Sequence, residues 1–403
     1  MRGLRRADVE VTLIDRHGYN TFQPLLYQVA TATLNPGDIT WFLRSARYRQ
    51  KNVRFINGTV TTMDHTARTV TLSDGQSVPY DDLIISAGAS VNFFGISVAA
   101  EHAYPLYTRA QALAIRDAMF SRLERVARQG SDGDLRVIVV GGGATGVEMA
   151  GALAELRNQD MPVTYPELDP QRTHITLLEM MPQLLAPFPE PLQSYAKDAL
   201  HDRDVDVRLN TAVKEVRPDG VVDSDDNFIP AGLVVWASGV TVHESVQDWG
   251  LPLGKGRRVL VDEHLRVTGL HHVFAVGDIA GSDHDKPLPQ LAQPAMQGGR
   301  YVARLLASSQ RGHEPQPFRY RDKGSLATIG RSSAVADVRG LPPLTGFVAW
   351  VVWMVVHLFY LLGVRTRMAT IVNLTSRYVF WRRGHSAIVG ETDLEPLTSD
   401  KEC

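Results

Sequence analysis

The segment RVIVVGGGATGVEMAGALAEL, residues 136–156, constrains this chain more than any other. Its apolar, β-branched start reads as a buried strand. The strand runs into Gly141-Gly142-Gly143-Ala144-Thr145-Gly146, and an alanine-rich helix follows over 144–156. In that context G-x-G-x-x-G marks a dinucleotide site. Gly141 permits the tight turn, Gly143 lets the backbone approach a pyrophosphate, and Gly146 lets the helix pack against the strand. The helix N-terminus adds free N–H groups and a partial positive charge. The expected fold is therefore α/β with at least one Rossmann unit.

A ribose-binding acid should end the next strand. ITLLE (175–179) ends at Glu179, further from Gly141 than the usual ~20 residues. The excess, NQDMPVTYPELDPQRTH, is polar and proline-bearing and is expected to be a loop. A carboxylate there accepts from the ribose 2′-OH and repels a 2′-phosphate, so NADH is expected rather than NADPH. Glu148 falls in the first turn of the helix after Gly146. It is open to two readings: a carboxylate favoured by the helix dipole, or a group facing the nicotinamide or flavin.

A second dinucleotide fold is signalled in pieces. VEVTLID (9–15) ends at Asp15 as a second strand would, with its acid placed for an adenosine ribose. A complete fold would begin with a strand and glycine loop roughly 30 residues earlier. Residues 1–7 suffice only for the end of the intervening helix, so that strand and loop are expected to be missing and FAD binding to be weak. The distal signal is VFAVGDIA (273–280): a strand, Gly277 and Asp278, leading to a helix from Gln293. In this architecture the acid accepts from the flavin ribityl chain, and the helix N-terminus stabilises the anionic reduced flavin. Between these pieces the sequence predicts a hairpin around SDG within 59–78, helices over 108–129 and 191–201, and a strand LVVW leading to Gly239.

Several function classes fall away. A net charge of −2 lacks the basic excess of a nucleic-acid binder. The only cysteine is Cys403, so no intramolecular disulfide and no Cys-x-x-Cys pair exists. That opposes a disulfide reductase or a sulfide:quinone reductase. The histidines, His271, His272 and His284 among them, form no metal-ligand spacing, and no metal site is expected. The N-terminus has basic residues but no apolar signal-peptide core.

Phe347–Val364, FVAWVVWMVVHLFYLLGV, carries no formal charge with His357 neutral. Read as one helix it sits at the lower length bound for a membrane span. Trp350, Trp353, Tyr360 and Trp381 suit an interface. In 368–381, Ile371, Leu374, Tyr378 and Trp381 share one helical face beside Arg377, Arg382 and Arg383, as an interfacial helix would. Spanning, lying on the membrane and packing into a core all remain open here.

DRHGYNTFQPLLYQVATATLNPGDI (15–39), DDLIISAGASVNFFG (81–95), VIVVGGGATGVEMAGALAEL (137–156), VVWASGV (234–240), VFAVGDIA, AQPAMQGG (292–299) and KGSLATIGRSSAV (323–335) together resemble type II NADH dehydrogenases, the non-proton-pumping NADH:quinone oxidoreductases, and actinobacterial members above all. The resemblance covers nearly the whole chain after residue 8, and FQPLLYQVAT and A-Q-x-A-x-Q are more specific than the glycine loops. It implies a two-dinucleotide-binding-domain flavoprotein plus C-terminal membrane-anchoring helices. The FAD domain would occupy 1–107 and 251–317, an inserted NADH-binding Rossmann domain 108–250, and a quinone and membrane region 318–403.

FAD would be bound non-covalently, NADH would donate hydride, and a membrane quinone would accept two electrons. Carried over by position, Asp15 would hold the FAD adenosine ribose and Asp278 the ribityl chain, while Ala87, Gly88, Ala89, Gly239 and Gly277 would approach cofactor. Glu148 would sit beside the nicotinamide–flavin stack, Gln293 and Gln297 would meet the quinone, and Lys323 would lie near the flavin and quinone head; Glu148, Gln297 and Lys323 are the expected catalytic groups. The implied location is the cytoplasmic face of the cell inner membrane, monotopic with single-pass as the alternative. The bilayer surface is a partner, and a homodimer is left open. Two rivals remain: a soluble NADH reductase of a ferredoxin-like carrier, which has no use for residues 347–383, and a flavin-free NAD-binding membrane protein, favoured by the missing first loop.

Overall fold

The predicted order of strand, glycine turn, helix and strand is present in the computed structural model, which describes residues 2–96, 98–128, 134–282, 288–309 and 316–379. In chain order the elements that position the site are β1 (Val11–Asp15), α1 (Leu26–Ala30), β2 (Val53–Asn57), β3 (Leu83–Ile85), β4 (Tyr104–Pro105), α2 (Arg109–Ala127), β5 (Leu135–Val140), α3 (Ala144–Glu155), β6 (Thr173–Leu178), α4 (Glu190–His201), β7 (Val205–Arg208), β8 (Leu233–Trp236), β9 (Val273–Ala275), α5 (Ala292–Ser309), β10 (Gly324–Thr328), β11 (Ala334–Val338), α6 (Gly346–Tyr360) and α7 (Val364–Val379). The chain divides into two compact units: 1–20, 42–90 and 240–323 form the first, and 21–41, 91–239 and 324–403 the second.

The second unit is built on a five-stranded parallel sheet in the order β4-β8-β5-β6-β7. Such sheets are covered on both faces, so their strands read as continuous apolar runs rather than alternating ones. Val137, Val139, Ile175 and Leu177 pack with Ile115, Met119 and Leu123 of α2 and Val147, Met149 and Leu153 of α3. Ile138, Val140, Val234 and Trp236 on the other face lie under Val216, Val221 and Ile229 of a small antiparallel sheet. Fully burying each such side chain contributes about 1.5–3 kcal/mol, so Leu153→Ala should cost about 2–5 kcal/mol. α2 starts at a capping box: the Thr108 hydroxyl accepts from the Gln111 amide, and the Gln111 side chain accepts from the Thr108 amide.

In the first unit β1 pairs in parallel with β2, and β3 with β9. Among the described residues these pairs form two separate sheets. The core around β3 and β9 includes Ile85, Val261, Phe274, Ile279, Val302 and Leu305. The hairpin signal is a three-stranded antiparallel meander, Val60–Asp64, Thr69–Leu72 and Ser77–Pro79, turning at Gly75 with φ +83°.

Three local expectations are corrected. The segment after α3 is not a loop at its start. The helix continues through a π-helical turn, Leu156–Asp160, into Met161–Thr164, because Leu156, Arg157, Asp160 and Met161 are all buried. The apolar stretch 347–364 is not one helix: α6 stops at Tyr360, Leu361 turns extended, and Gly363 adopts φ +86° before α7 begins. The interfacial face assigned to α7 is rotated. Leu374 is buried, and Thr370 and Arg377 turn inward with it. Thr370 Oγ1 donates to the Asp38 carbonyl at 2.8 Å, Asn373 Nδ2 to Asp38 Oδ2 at 2.7 Å, and Arg377 to Asp160 Oδ2 at 2.7 Å. These buried polar contacts fix the rotation that the apolar pattern alone leaves open. Trp381, Arg382 and Arg383 lie outside the described residues.

Candidate functional site

At the Rossmann turn the sequence requirement is steric. Gly141 sits at φ +112°, and a Cβ there would lie 2.9 Å from the Ser238 backbone. A Cβ on Gly146 would come within 1.8 Å of the Gly141 carbonyl oxygen, which is why the helix can begin so close to the strand. Gly143 caps α3 without any side-chain bond, is exposed, and would have nothing within 4 Å of an added Cβ. The first N–H groups of α3 thus face open space, where helix termini hold phosphate. Glu179 follows β6 beside this loop. Its Oε2 accepts from the Gly142 amide, and its Oε1 from the Met181 amide at 2.7 Å. This donor set and cradle fit the pyrophosphate and ribose of a nicotinamide dinucleotide. Gly239, at φ +67°, packs so closely on Phe94 that a Cβ would meet its ring at 2.5 Å.

Glu148 is neither a surface helix cap nor a solvent-facing acid. It is buried, with Oε1 accepting from the Thr328 amide at 3.3 Å and from the Trp353 indole at 3.2 Å. Burial pushes its carboxyl up to about 8, and the two hydrogen bonds pull the other way without overcoming it. The surroundings are aromatic and hydrogen-bonded. The Tyr27 and Thr328 hydroxyls are hydrogen-bonded at 3.0 Å, and Tyr27 Oη accepts from Gln28 Nε2 at 3.0 Å. His357 stacks on Trp353 with ring centroids 4.1 Å apart and donates from Nδ1 to the Trp353 carbonyl. Burial holds the His357 imidazole down to about 4. Trp353, expected at an interface, is fully buried instead. The sequence reading missed this partnership. Its only sequence signal is that an acid in an apolar helix and an indole in another each need a polar partner when buried.

The flavin and quinone candidates lie in the first unit. Asp15 ends β1, with Oδ1 accepting from the His17 amide at 2.8 Å. After β3, Ala87 is exposed, Gly88 takes φ +71° and Ala89 is buried. After β9, Gly277 takes φ +78°, and Asp278 follows with its carbonyl accepting from Gln290. These residues fit the two ends of a flavin dinucleotide. Among the described residues the Gly141–Gly146 turn is the one G-x-G-x-x-G strand-to-helix loop. On α5, the Gln297 amide clamps the backbone of Arg321, donating to its carbonyl at 2.9 Å and accepting from its N–H at 3.0 Å. Gln293 Oε1 accepts from Gln297 at 3.4 Å, and Lys323, two residues past the clamp, is exposed.

The C-terminal helices expose an apolar face. Phe347, Val348, Val351, Val355 and Phe359 line one side of α6, opposite the buried Ala349 and Trp353. Val364, Met368 and Val372 line one side of α7. Among the described residues no helix is long and apolar enough to cross a membrane.

Residues 1–299 match the pyridine nucleotide-disulphide oxidoreductase family, and residues 323–383 match the NDH2 C-terminal domain. The type II NADH:quinone oxidoreductase Ndh of Mycobacterium tuberculosis is 36% identical over 407 residues, spanning 96% of this chain and 87% of its own. The type II NADH:quinone oxidoreductase of Staphylococcus aureus is 28% identical, over 85% of this chain and 86% of its own. NDH2 of Plasmodium falciparum, solved in complex with NADH, superposes with a TM-score of 0.85 at 23% identity, over 95% of this chain and 96% of its own. At that identity the superposition speaks for the fold.

Proposed function

Because this chain belongs to the type II NADH:quinone oxidoreductase family, we propose that it oxidises NADH with FAD as its redox group and reduces a membrane quinone, without pumping protons, while seated on one face of a membrane. The observation that carries this reading is Glu148. A buried carboxyl that keeps its proton near neutral pH stands two residues past the third glycine of the NADH loop, held by a helix whose outer face is bare and apolar.

The chain's own residues divide the work. The amides at the start of α3 bind the NADH pyrophosphate, and Glu179 accepts from the adenosine ribose, excluding a 2′-phosphate by like charge. Asp15 and Asp278 hold the two ends of the flavin, and Ala87, Gly88, Ala89, Gly239 and Gly277 let backbone come close to cofactor. When bound, the flavin supplies the hydride acceptor and the two-electron relay to quinone. Hydride brings one proton and two electrons, so forming the quinol takes one proton more. Glu148 holds a proton at neutral pH and is suited to deliver it. Gln297 fixes the backbone leading to Lys323, and Gln293 supports Gln297; together they shape the quinone head site. The apolar faces of α6 and α7 rest in the lipid interface, where a lipophilic quinone is found.

Purified, flavin-loaded protein should reduce a short-chain quinone with NADH and should float with phospholipid vesicles. Turnover with a ferredoxin-like carrier but not with quinone would overturn the reading.

A further inference from the structure

Trp353 lies on the inner face of α6, and its N–H reaches the Glu148 carboxyl; two residues to either side, about half a turn away on the outer face, stand Val351 and Val355. The same helix therefore presents an apolar side to lipid and a hydrogen-bond donor to the buried acid. Tyr27 meets the Trp353 ring edge-on at 6.3 Å, and His357 stacks on it, so packing orients the indole toward Glu148. The titratable groups that this packing brings to the pair are His357 from α6 itself and Tyr27 from α1, the latter bonded to Thr328 on β10. Further along α3, Glu155 is engaged by Arg377 of α7 and by the Arg331 amide.

We propose that Trp353 is a positioning residue through which the lipid-facing helix α6 holds the Glu148 carboxyl, so that seating α6 on a bilayer tunes the proton that Glu148 carries. This rests on the reading of Glu148 as proton source, but concerns how that proton is set. A donor to Oε1 favours the ionised form. A fixed α6 makes that bond persistent, and a loose α6 breaks it intermittently. Trp353→Phe keeps a six-membered aromatic ring in the buried site and removes the N–H together with the five-membered ring that carries it.

The test is an infrared pH titration of the protonated carboxyl band, assigned by its loss in Glu148→Gln, with no NADH added. Trp353→Phe should raise the midpoint by about one pH unit, the effect of one lost hydrogen bond to a carboxylate. Adding vesicles of equal parts phosphatidylglycerol and phosphatidylcholine should lower the wild-type midpoint by about half a unit on the same ground, and leave Trp353→Phe where it was. Val355→Asp, whose change is confined to the outer face, should titrate with vesicles as wild type does without them. An unchanged midpoint in Trp353→Phe, or no vesicle shift in wild type, overturns the proposal. If instead the titrations behave as stated but Glu148→Gln reduces quinone at the wild-type rate, the coupling stands and the proton-source reading fails.

Discussion

The indole N–H of Trp353 lies 3.2 Å from Glu148 Oε1 across 205 residues of sequence. That contact ties the helix opening the NADH site to the first helix of the C-terminal region. It makes the C-terminal region part of the electrostatics around Glu148. A buried acid with only two donors keeps its proton, because transfer of a bare carboxylate out of water costs more than two hydrogen bonds return.

The first prediction concerns pH and stability. The Glu148 carboxyl stands near 8 in the folded protein, against 4.5 for an ordinary glutamate. Between those values the folded state keeps a proton that the unfolded state has lost, so its contribution to stability declines as pH rises through that window and is constant above it. Glu148→Gln removes this penalty. Its melting temperature should match wild type near pH 4 and exceed it by roughly 5 °C or more at pH 8.5, while quinone reduction falls. Calorimetry across the range checks this; a constant difference at all pH values would mean that Glu148 is not protonated in the fold.

The second prediction concerns Glu179 and the choice between NADH and NADPH. Its Oε2 accepts from the Gly142 amide, so Glu179→Ala loses a ribose partner and also frees the loop. A charge-assisted bond contributes about 1.5–3 kcal/mol, so NADH should bind about tenfold more weakly or worse. Glu179→Arg should raise the NADPH-to-NADH preference. Dissociation constants for both nucleotides measure this, and an unchanged ratio in both variants would remove Glu179 from the ribose site.

Gln297 and Gln293 should separate. Gln297 makes both hydrogen bonds to Arg321, whereas the Gln293 side chain accepts from Gln297. Gln297→Ala should therefore raise the quinone KM severalfold and Gln293→Ala less, with flavin reduction by NADH unaffected in stopped flow. Equal loss in both half-reactions would assign α5 to flavin packing.

What the sequence made legible is what short range decides. Gly141, Gly146 and Glu179 are tied to one another by turn geometry within one βαβ unit, and the structure brings them together as read. The A-Q-x-A-x-Q run gave the two glutamines but not their task, since the Arg321 backbone is 24 residues away from Gln297. The C-terminal helices were read least well. A helix apolar all round does not reveal which face is inner. Here the choice rests on distant polar partners: Glu148 for Trp353, Asp38 for Thr370 and Asn373, and Asp160 for Arg377. A three-residue turn, Leu361–Gly363, was likewise hidden inside an unbroken apolar run.

Membrane attachment is the last prediction, and the structure changes how it must be tested. Removing everything after Gly346 would also remove Trp353, Leu374 and Arg377, leaving Glu148 and Asp160 buried without those partners. Such a chain could lose activity for reasons unrelated to lipid. Point changes on the outer face avoid this. Val355, Phe359 and Met368 are 61%, 70% and 55% exposed, so a charge there costs the fold little. In the lipid interface each contributes about 1.5–3 kcal/mol of burial; Val355→Asp with Phe359→Asp should release the protein from vesicles while ferricyanide reduction by NADH persists. The two arginines at the start of α7, Arg365 and Arg367, should behave differently. Arg365 is exposed and free to meet headgroups, so Arg365→Glu should weaken binding to anionic vesicles only, and less so at high salt. Arg367 instead donates to the Phe359 and Leu361 carbonyls at 2.9 and 3.1 Å, closing the end of α6. Arg367→Ala should lower the melting temperature without changing the salt dependence of vesicle binding. Flotation at low and high salt, on neutral and anionic vesicles, separates these outcomes. If the double aspartate variant still floats after a high-salt wash, the protein is held to the membrane by some surface other than these two helices.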